Sequence, residues 1–255
     1  MSNVVVLSVA MLTAAAGFAA AADGRLYEMR VYEARPGKLD ALQARFREHT
    51  TKLFAKHDMT NVGYFVPAGD NPERRLVYFL SYPDRAARDA SWQAFLADPE
   101  WQQVSAASER DGKLVANITS RFLAATDYSP AFEPTAGTAP RVFEMRTYTA
   151  TPGNLPALNA RFRDHTLGLF ARHGMTNLVY WNLAADQPQA DRTLVYLLAH
   201  ASADAARESF AAFRKDPDWL AARTASEEKA GGSLTEKEGG VVSEFLVPTD
   251  YSPLR

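Results

Sequence analysis

The chain has no cysteine, which excludes disulfides, thiolate nucleophiles, iron–sulfur clusters, cysteine zinc sites and lipid attachment through sulfur, and leaves the redox compartment open. It also lacks a dominant charge: 28 Lys and Arg stand against 30 Asp and Glu, a formal net charge of -2. Without a broad basic face there is no source for the attraction that dominates nucleic-acid binding, so nucleic acid is excluded as a main partner. The five histidines form no HExxH or comparable spacing, so neither a metal site nor a built-in cofactor is expected. Beyond residue 22 no run is long and apolar enough to span a bilayer.

What is present is 47% hydrophobic and 23% charged sequence, ordinary for a compact protein. Val4 to Ala22 is an apolar run that closes on Ala20-Ala21-Ala22 before Asp23, small-residue chemistry that predicts a signal peptide over residues 1–22 and a periplasmic or secreted protein. No Lys or Arg precedes the run, and a retained anchor is the competing expectation. Alanine is only weakly apolar, however, and Ser8, Thr13 and Gly17 interrupt it.

The remainder is an internal repeat. Tyr27-Glu28-Met29-Arg30 returns as Phe143-Glu144-Met145-Arg146, and 24 of the 40 positions from Tyr27 to Val66 match their partners 116 residues on. The spacing grows to 118 between Asp98-Pro99-Glu100-Trp101 and Asp216-Pro217-Asp218-Trp219. It reaches 123 between Asp127-Tyr128-Ser129-Pro130 and Asp250-Tyr251-Ser252-Pro253, so loops carry insertions, one of them in the glycine-rich stretch from Gly231 to Gly240. Each half ends on the same motif. The division is a first unit over 23–130, a linker over 131–140 rich in Pro, Gly, Thr and Ala, and a second unit over 141–255.

Within the first unit Leu26 to Glu33 alternates like a strand, with Tyr27, Met29 and Val31 against Glu28, Arg30 and Tyr32. Pro36-Gly37 ends it. Leu39, Leu42, Phe46, His49 and Leu53 then recur at helical spacing, and in the second copy Asn154 is placed to cap this helix, with Pro156 in its first turn. Val62 to Val66 and Leu76 to Tyr82 predict a hairpin. A helix follows from Asp84, with Asp98 capping a further turn, and Ile118 to Ala124 gives a fourth strand. The order β-α-β-β-α-β is the ferredoxin-like unit of α+β class, whose helices cover one sheet face and leave the other bare. Two tandem units can cover each other, forming an intramolecular dimeric α+β barrel with a central cavity, a monomer already paired as a pseudo-dimer.

The run Tyr27-Glu28-Met29-Arg30-Val31-Tyr32, then Pro36-Gly37, Arg45-Phe46-Arg47-Glu48-His49-Thr50 and Leu53-Phe54-Ala55-Lys56-His57, repeated in the second half, resembles a NIPSNAP domain. The resemblance covers nearly the whole chain after residue 22. It implies the dimeric α+β barrel fold, shared with small monooxygenases, haem-degrading enzymes and stress-response proteins, and brings no settled chemistry.

Candidate site residues follow from the expected barrel. With Tyr27, Met29 and Val31 under the helices, alternation turns Glu28, Arg30 and Tyr32, and Glu144, Arg146 and Tyr148, into the interior, where they form a structural ion-pair network or arginine forks for an anionic or carbonyl ligand. His49 and His165 fall on the apolar stripe of the first helix, as core histidines or acid–base groups. His57 and His173 fit helix C-termini, where the dipole favours a cation. Tyr64, Tyr78, Tyr180, Tyr196 and Trp181 lie on strands, and those turned inward would line an aromatic pocket. Trp92, Phe95 and Trp101, with Phe210, Phe213 and Trp219, are read as helix packing outside the site. The copies differ at Val66 against Asn182 and Tyr82 against His200. The leading expectation is small-molecule binding in the barrel interior. The alternatives are a cofactor-independent enzyme, monooxygenase- or isomerase-like, using Glu28, Arg30 and His49, and a protein-interaction module.

Overall fold

The computed structural model describes residues 24–134, 137 and 141–255; the expected signal peptide and residues 135, 136 and 138–140 of the expected linker lie outside the described residues. The first unit runs β1 (Leu26–Ala34), α1 (Leu39–Arg45), a π-helical turn (Phe46–Thr50), α2 (Thr51–Lys56), β2 (Thr60–Pro67), β3 (Arg75–Tyr82), α3 (Arg85–Ala97), α4 (Pro99–Ser108) and β4 (Val115–Ala125). The second repeats it with β5 (Val142–Thr149), α5 (Leu155–Arg161), a π turn (Phe162–Thr166), α6 (Leu167–Arg172), β6 (Thr176–Leu183), β7 (Thr193–His200), α7 (Ala203–Phe213), α8 (Pro217–Ala230) and β8 (Val241–Pro248). Among the described residues no helix is long and apolar enough to cross a membrane.

All eight strands form one closed antiparallel barrel in the order β1-β3-β2-β8-β5-β7-β6-β4. Within each unit the outer strands pair along most of their length. The seams between units are short, Phe65↔Pro248 to Pro67↔Leu246 and Leu123↔Leu183 to Ala125↔Trp181. Closure removes the free sheet edges. The interior is filled by apolar side chains: Tyr27, Met29, Phe65, Phe79, Phe143 and Trp181 belong to one buried cluster, with Trp181 stacked on Phe79 at 5.3 Å and Phe65 against Phe143 at 5.1 Å.

This filling corrects the expected facing. The alternation on β1 holds, but Tyr27 and Met29 point into the barrel, whereas Tyr32 packs beneath the helices beside Phe46 and Glu28 and Arg30 share its face by alternation. A sheet-on-sheet core offers apolar contact and few hydrogen-bond partners, so the apolar set goes inward and the polar trio goes where helices bring donors. The expected central cavity is this packed core.

The π turns correct the helical stripe. Thr50 Oγ1 donates to the carbonyl of Arg45 and Thr166 Oγ1 to that of Arg161, both at 3.1 Å and both across five residues. The wider turn shifts the phase of everything after Phe46, so Thr50 and Thr166 turn inward and are buried, while His49 and His165 are exposed. Asp98 caps as expected, accepting from the backbone N–H of Glu100, and Asp84 caps the preceding helix by accepting from that of Ala87. Asn154 makes no side-chain cap; its Nδ2 donates to Thr151 Oγ1 at 2.9 Å. His57 and His173 do end their helices, and each ring nitrogen meets the next capping carboxylate, Asp98 at 2.7 Å and Asp216 at 2.6 Å.

The repeated terminal motif is a reciprocal clasp. Ser129, at the end of the first unit, accepts the backbone N–H of Tyr180 in the second at 3.0 Å, and Ser252 accepts that of Tyr64 in the first at 2.9 Å. Tyr128 and Tyr251 pack on the same two tyrosines. The exposed pairs Arg163–Asp127 and Arg47–Asp250 flank the clasps and add little in water. Replacing Ser129 or Ser252 by Ala strands a buried N–H, and each variant is expected to lose about 1–3 kcal/mol in urea unfolding. An unchanged midpoint in both would show that the clasp is incidental.

Candidate functional site

Glu28 is the buried centre of the first unit. Its Oε1 accepts from Arg30 Nη1 at 2.6 Å, Arg88 Nη2 at 2.9 Å and Ser120 Oγ at 2.7 Å. Its Oε2 accepts from Arg88 Nε at 3.0 Å, Tyr82 Oη at 3.1 Å and Trp92 Nε1 at 3.2 Å. Burial pulls its pKa upward, but the bond from Arg88, the charge of Arg30 and the bond from Ser120 outweigh it and hold the carboxyl at about 2. Glu28 is therefore a fixed anion, unsuited to taking a proton at neutral pH. It orients Arg30, whose Nε donates to Tyr78 Oη at 2.9 Å and whose guanidinium carbon lies 4.4 Å from the centre of the Trp92 ring.

Above this floor, between the outer face of the sheet and the helices, lies a cleft of about 480 Å³. Arg30 and Tyr32 form its base, and the π turn contributes Phe46 and Thr50 beside Arg45. Helices α3 and α4 supply Trp92, Phe95 and Trp101, while Leu96, Lys113 and Ile118 ring the opening. Arg45 is buried, with its guanidinium 5.3 Å from the Trp101 ring centre. It reaches Ser108 and Glu109 only at 3.3 and 3.4 Å, and its Nε has no acceptor among the described residues. Glu109 turns from Arg45 to Lys113 at 2.7 Å. Burial raises the Glu109 pKa, and the bonds from Lys113 and the Leu114 backbone lower it further than burial lifts it.

The second unit keeps the plan and changes the parts. Glu144 accepts from Arg146 Nη1 at 2.6 Å and from Ser243, and meets His200 Nε2 at 3.0 Å. The bidentate arginine is gone, since Ala206 stands at the position of Arg88, and Phe210 replaces Trp92. Burial again opposes ionisation of Glu144, and its bonds to His200 and the charge of Arg146 win.

The twelve expected site residues divide accordingly. Arg30 and Tyr32 line the cleft and Glu28 anchors it from below. Tyr64 and Tyr78 stack at 5.4 Å, buried between sheet and first helix, as Tyr180 and Tyr196 do at 4.9 Å in the second unit. All four face the helices; only Trp181 of that aromatic set is turned into the barrel. Glu144, Arg146 and Tyr148 repeat the trio under the second pair of helices. His49 and His165 are on the outer helix surface, so neither converges with a glutamate of the trio, and the imidazole that does is His200. Asn182 is held by Asn159 at 2.9 Å. Reading Trp92, Phe95 and Trp101 as packing alone missed three walls of the cleft, and Arg45 and Arg88 were not singled out. Arg88 and Trp92 give way to Ala206 and Phe210 in a helix where only four of fourteen positions from Asp84 to Ala97 match their partners, and Arg45 is kept as Arg161, so the repeat marks none of them. Among the described residues no group of three or more His, Asp or Glu side chains is placed to hold a metal ion.

The NIPSNAP family profile matches residues 27–130 and 143–253. Among solved structures, a NIPSNAP-like domain protein from Burkholderia xenovorans is 22% identical over 43% of this chain and 92% of its own, with a TM-score of 0.38. A putative monooxygenase from Fusobacterium nucleatum is 10% identical over 88% of this chain and 92% of its own, with a TM-score of 0.52. An anthrone oxidase-like protein is 12% identical over 89% and 92%, also at 0.52. These last two likenesses show the two-unit barrel fold. No curated protein matches the sequence.

Protonating Glu28 would cancel its network. Its pKa falls from 4.5 to about 2, so its contribution is complete above pH 4.5 and is lost as pH drops toward 2, amounting to about 3 kcal/mol. Glu28→Gln is expected to lose about 3–5 kcal/mol at pH 7, because Arg30 and Arg88 stay buried without their anion, and to show a flatter decline of stability between pH 4.5 and 2. An acid titration as steep as that of the parent would place the lost protons elsewhere.

Proposed function

The chain belongs to the NIPSNAP family, two of whose domains it carries in tandem, and from that premise we propose that it binds a small organic molecule in the helix–sheet cleft of the first unit. The observation that carries this is a cleft of about 480 Å³ whose base is a buried, hydrogen-bonded arginine and whose walls are tryptophans. Concave, mostly apolar sites with a few fixed polar groups are the common form of small-molecule sites. The barrel interior, the site expected from sequence, is occupied by its own side chains and is set aside.

Proteins described as putative monooxygenases share the barrel at 10% identity, which bears on fold alone. For catalysis, the groups expected to act as base and acid do not meet: Glu28 is locked as an anion under the floor and His49 lies outside the cleft. Binding is therefore the reading the geometry favours. The apolar run from Val4 to Ala22 supports export with a mature start near Asp23, which the intact mass of protein recovered outside the cytoplasm tests.

The four tryptophans are built-in reporters. Trp92 and Trp101 line the cleft, Trp181 sits in the barrel and Trp219 in the second unit. In nitrogen–proton spectra of the indole groups, titration with aromatic acids, phenols, quinones and fatty acids is expected to move Trp92 and Trp101 and leave Trp181 in place. A ligand that moves Trp181 alone would return the site to the barrel, and a set that moves none of the four would refute binding.

A further inference from the structure

We infer that the first-unit cleft takes a planar organic anion, one per chain, an inference that deepens the binding proposal and rests on it. Three observations at the cleft point the same way. Arg30, Arg45, Arg88 and Lys113 line it, against the carboxylates of Glu109 at the opening, Glu28 beneath the floor and Asp89 beside Arg88, which leaves four cations to three anions. A low-dielectric cleft with an excess of one sign concentrates the opposite charge.

The donors are also underused. Arg45 Nη1 is bonded only at 3.3 and 3.4 Å, and Arg30 Nη2 reaches Tyr32 Oη at 3.4 Å. An incoming carboxylate or sulfonate forms shorter, charge-assisted bonds with such groups. The walls are aromatic: Trp92 lies edge-on to Phe95 at 5.6 Å and Trp101 tilted against it at 4.4 Å between ring centres, and both line the cleft. Ring faces of this kind favour a planar guest.

The count of one rests on the positions where the repeat breaks, since Arg146 and Arg161 keep the long bonds of Arg30 and Arg45, at 3.3, 3.4 and 3.5 Å. Ala206, Phe210 and Ser233 stand in the second unit where the first has Arg88, Trp92 and Lys113, Leu114 and Leu234 fixing the last alignment through matching backbone bonds to Arg35 and Thr151. Arg223, in place of Ser105, is taken up by Glu227 at 3.1 Å. The inserted loop folds over the strand end, where Glu236 N–H donates to the Thr149 carbonyl at 3.0 Å and Glu236 pairs with Arg192.

The test is calorimetric titration of the full chain with 2-naphthoate and with 2-naphthalenemethanol, its neutral analogue. The expected result is one site per chain and naphthoate binding about tenfold tighter, the effect of one added ion pair of about 1.4 kcal/mol. Ser105→Glu places a carboxylate on the half-buried wall of α4, where Glu suits the helix, and is expected to cut the preference for naphthoate over its neutral analogue by about tenfold in a variant that still unfolds cooperatively. Equal affinities for the two probes, or a preference unchanged by Ser105→Glu in a folded variant, would overturn the anion class with cleft binding intact. Two sites per chain would overturn the count. Failure of both probes to bind would instead strike the binding proposal itself.

Discussion

Each four-stranded sheet has one face covered by its own helices and one apolar face that nothing in its own unit can cover. Burying those two faces against each other is the constraint from which the rest of the molecule follows. The inward set on β1, β3 and β6, with Tyr27, Phe79 and Trp181 among its members, is too large and too apolar to face water, at about 25 cal/mol for each Å² of apolar surface. The covalent link makes the partner sheet available at a fixed stoichiometry, and the short seams close the barrel. The clasps then take the backbone N–H groups of Tyr64 and Tyr180, which a serine of the opposite unit satisfies. Neither half meets its own requirements alone.

Once the apolar faces are committed inward, period-two alternation leaves the charged positions no choice but the layer beneath the helices. A carboxylate there is costly unless surrounded by donors. Helix α3 answers this with Arg88 and Trp92 on successive turns, and β4 with Ser120 from the neighbouring strand. The result is a rigid ion network, and its consequence for function is positional. Arg30 is held by Glu28 and Tyr78 on one side and by the Trp92 face on the other, so a cation is presented to the cleft in one orientation. A site assembled this way loses little entropy on binding.

Much of this was legible in the sequence, and the misses have physical causes. The repeat, the element order, the paired-unit barrel and the strand alternation could all be read because each rests on local pattern or on self-similarity. Which face of β1 looks inward could not: alternation defines two sets and says nothing about which meets the partner sheet, so a polar trio in a central cavity and a polar trio under helices read alike. His49 was misplaced by a different limit. The series Leu42, Phe46, His49, Leu53 assumes a continuous α-helix, and the π turn at Phe46–Thr50 changes the phase within it. The threonines at positions 50 and 166, each bonded to a carbonyl five residues back, are compatible with that turn but do not announce it. Trp92 and Trp101 read as packing because aromatic residues at helical spacing fit both packing and a cleft wall, and only the third dimension shows that packing on α3 and α4 stops short of the sheet.

A symmetric pair of identical chains must carry two equal sites, since every substitution appears twice. Fusion into one chain lifts that restriction, and the two carboxylates record the outcome. Each accepts from one serine, Ser120 or Ser243, but Glu28 is also met by Tyr82, Arg88 and Trp92, and Glu144 by His200, with alanine and phenylalanine where the arginine and tryptophan stand. Both arrangements keep the carboxylate ionised and the neighbouring arginine in place, so the structural requirement is satisfied twice. Only one arrangement also brings an indole and a second guanidinium to the wall of a cleft. The scaffold needs a buried anion with enough donors in each half, and it is indifferent to which donors they are. That indifference leaves one half free to build a site while the other continues to close the barrel.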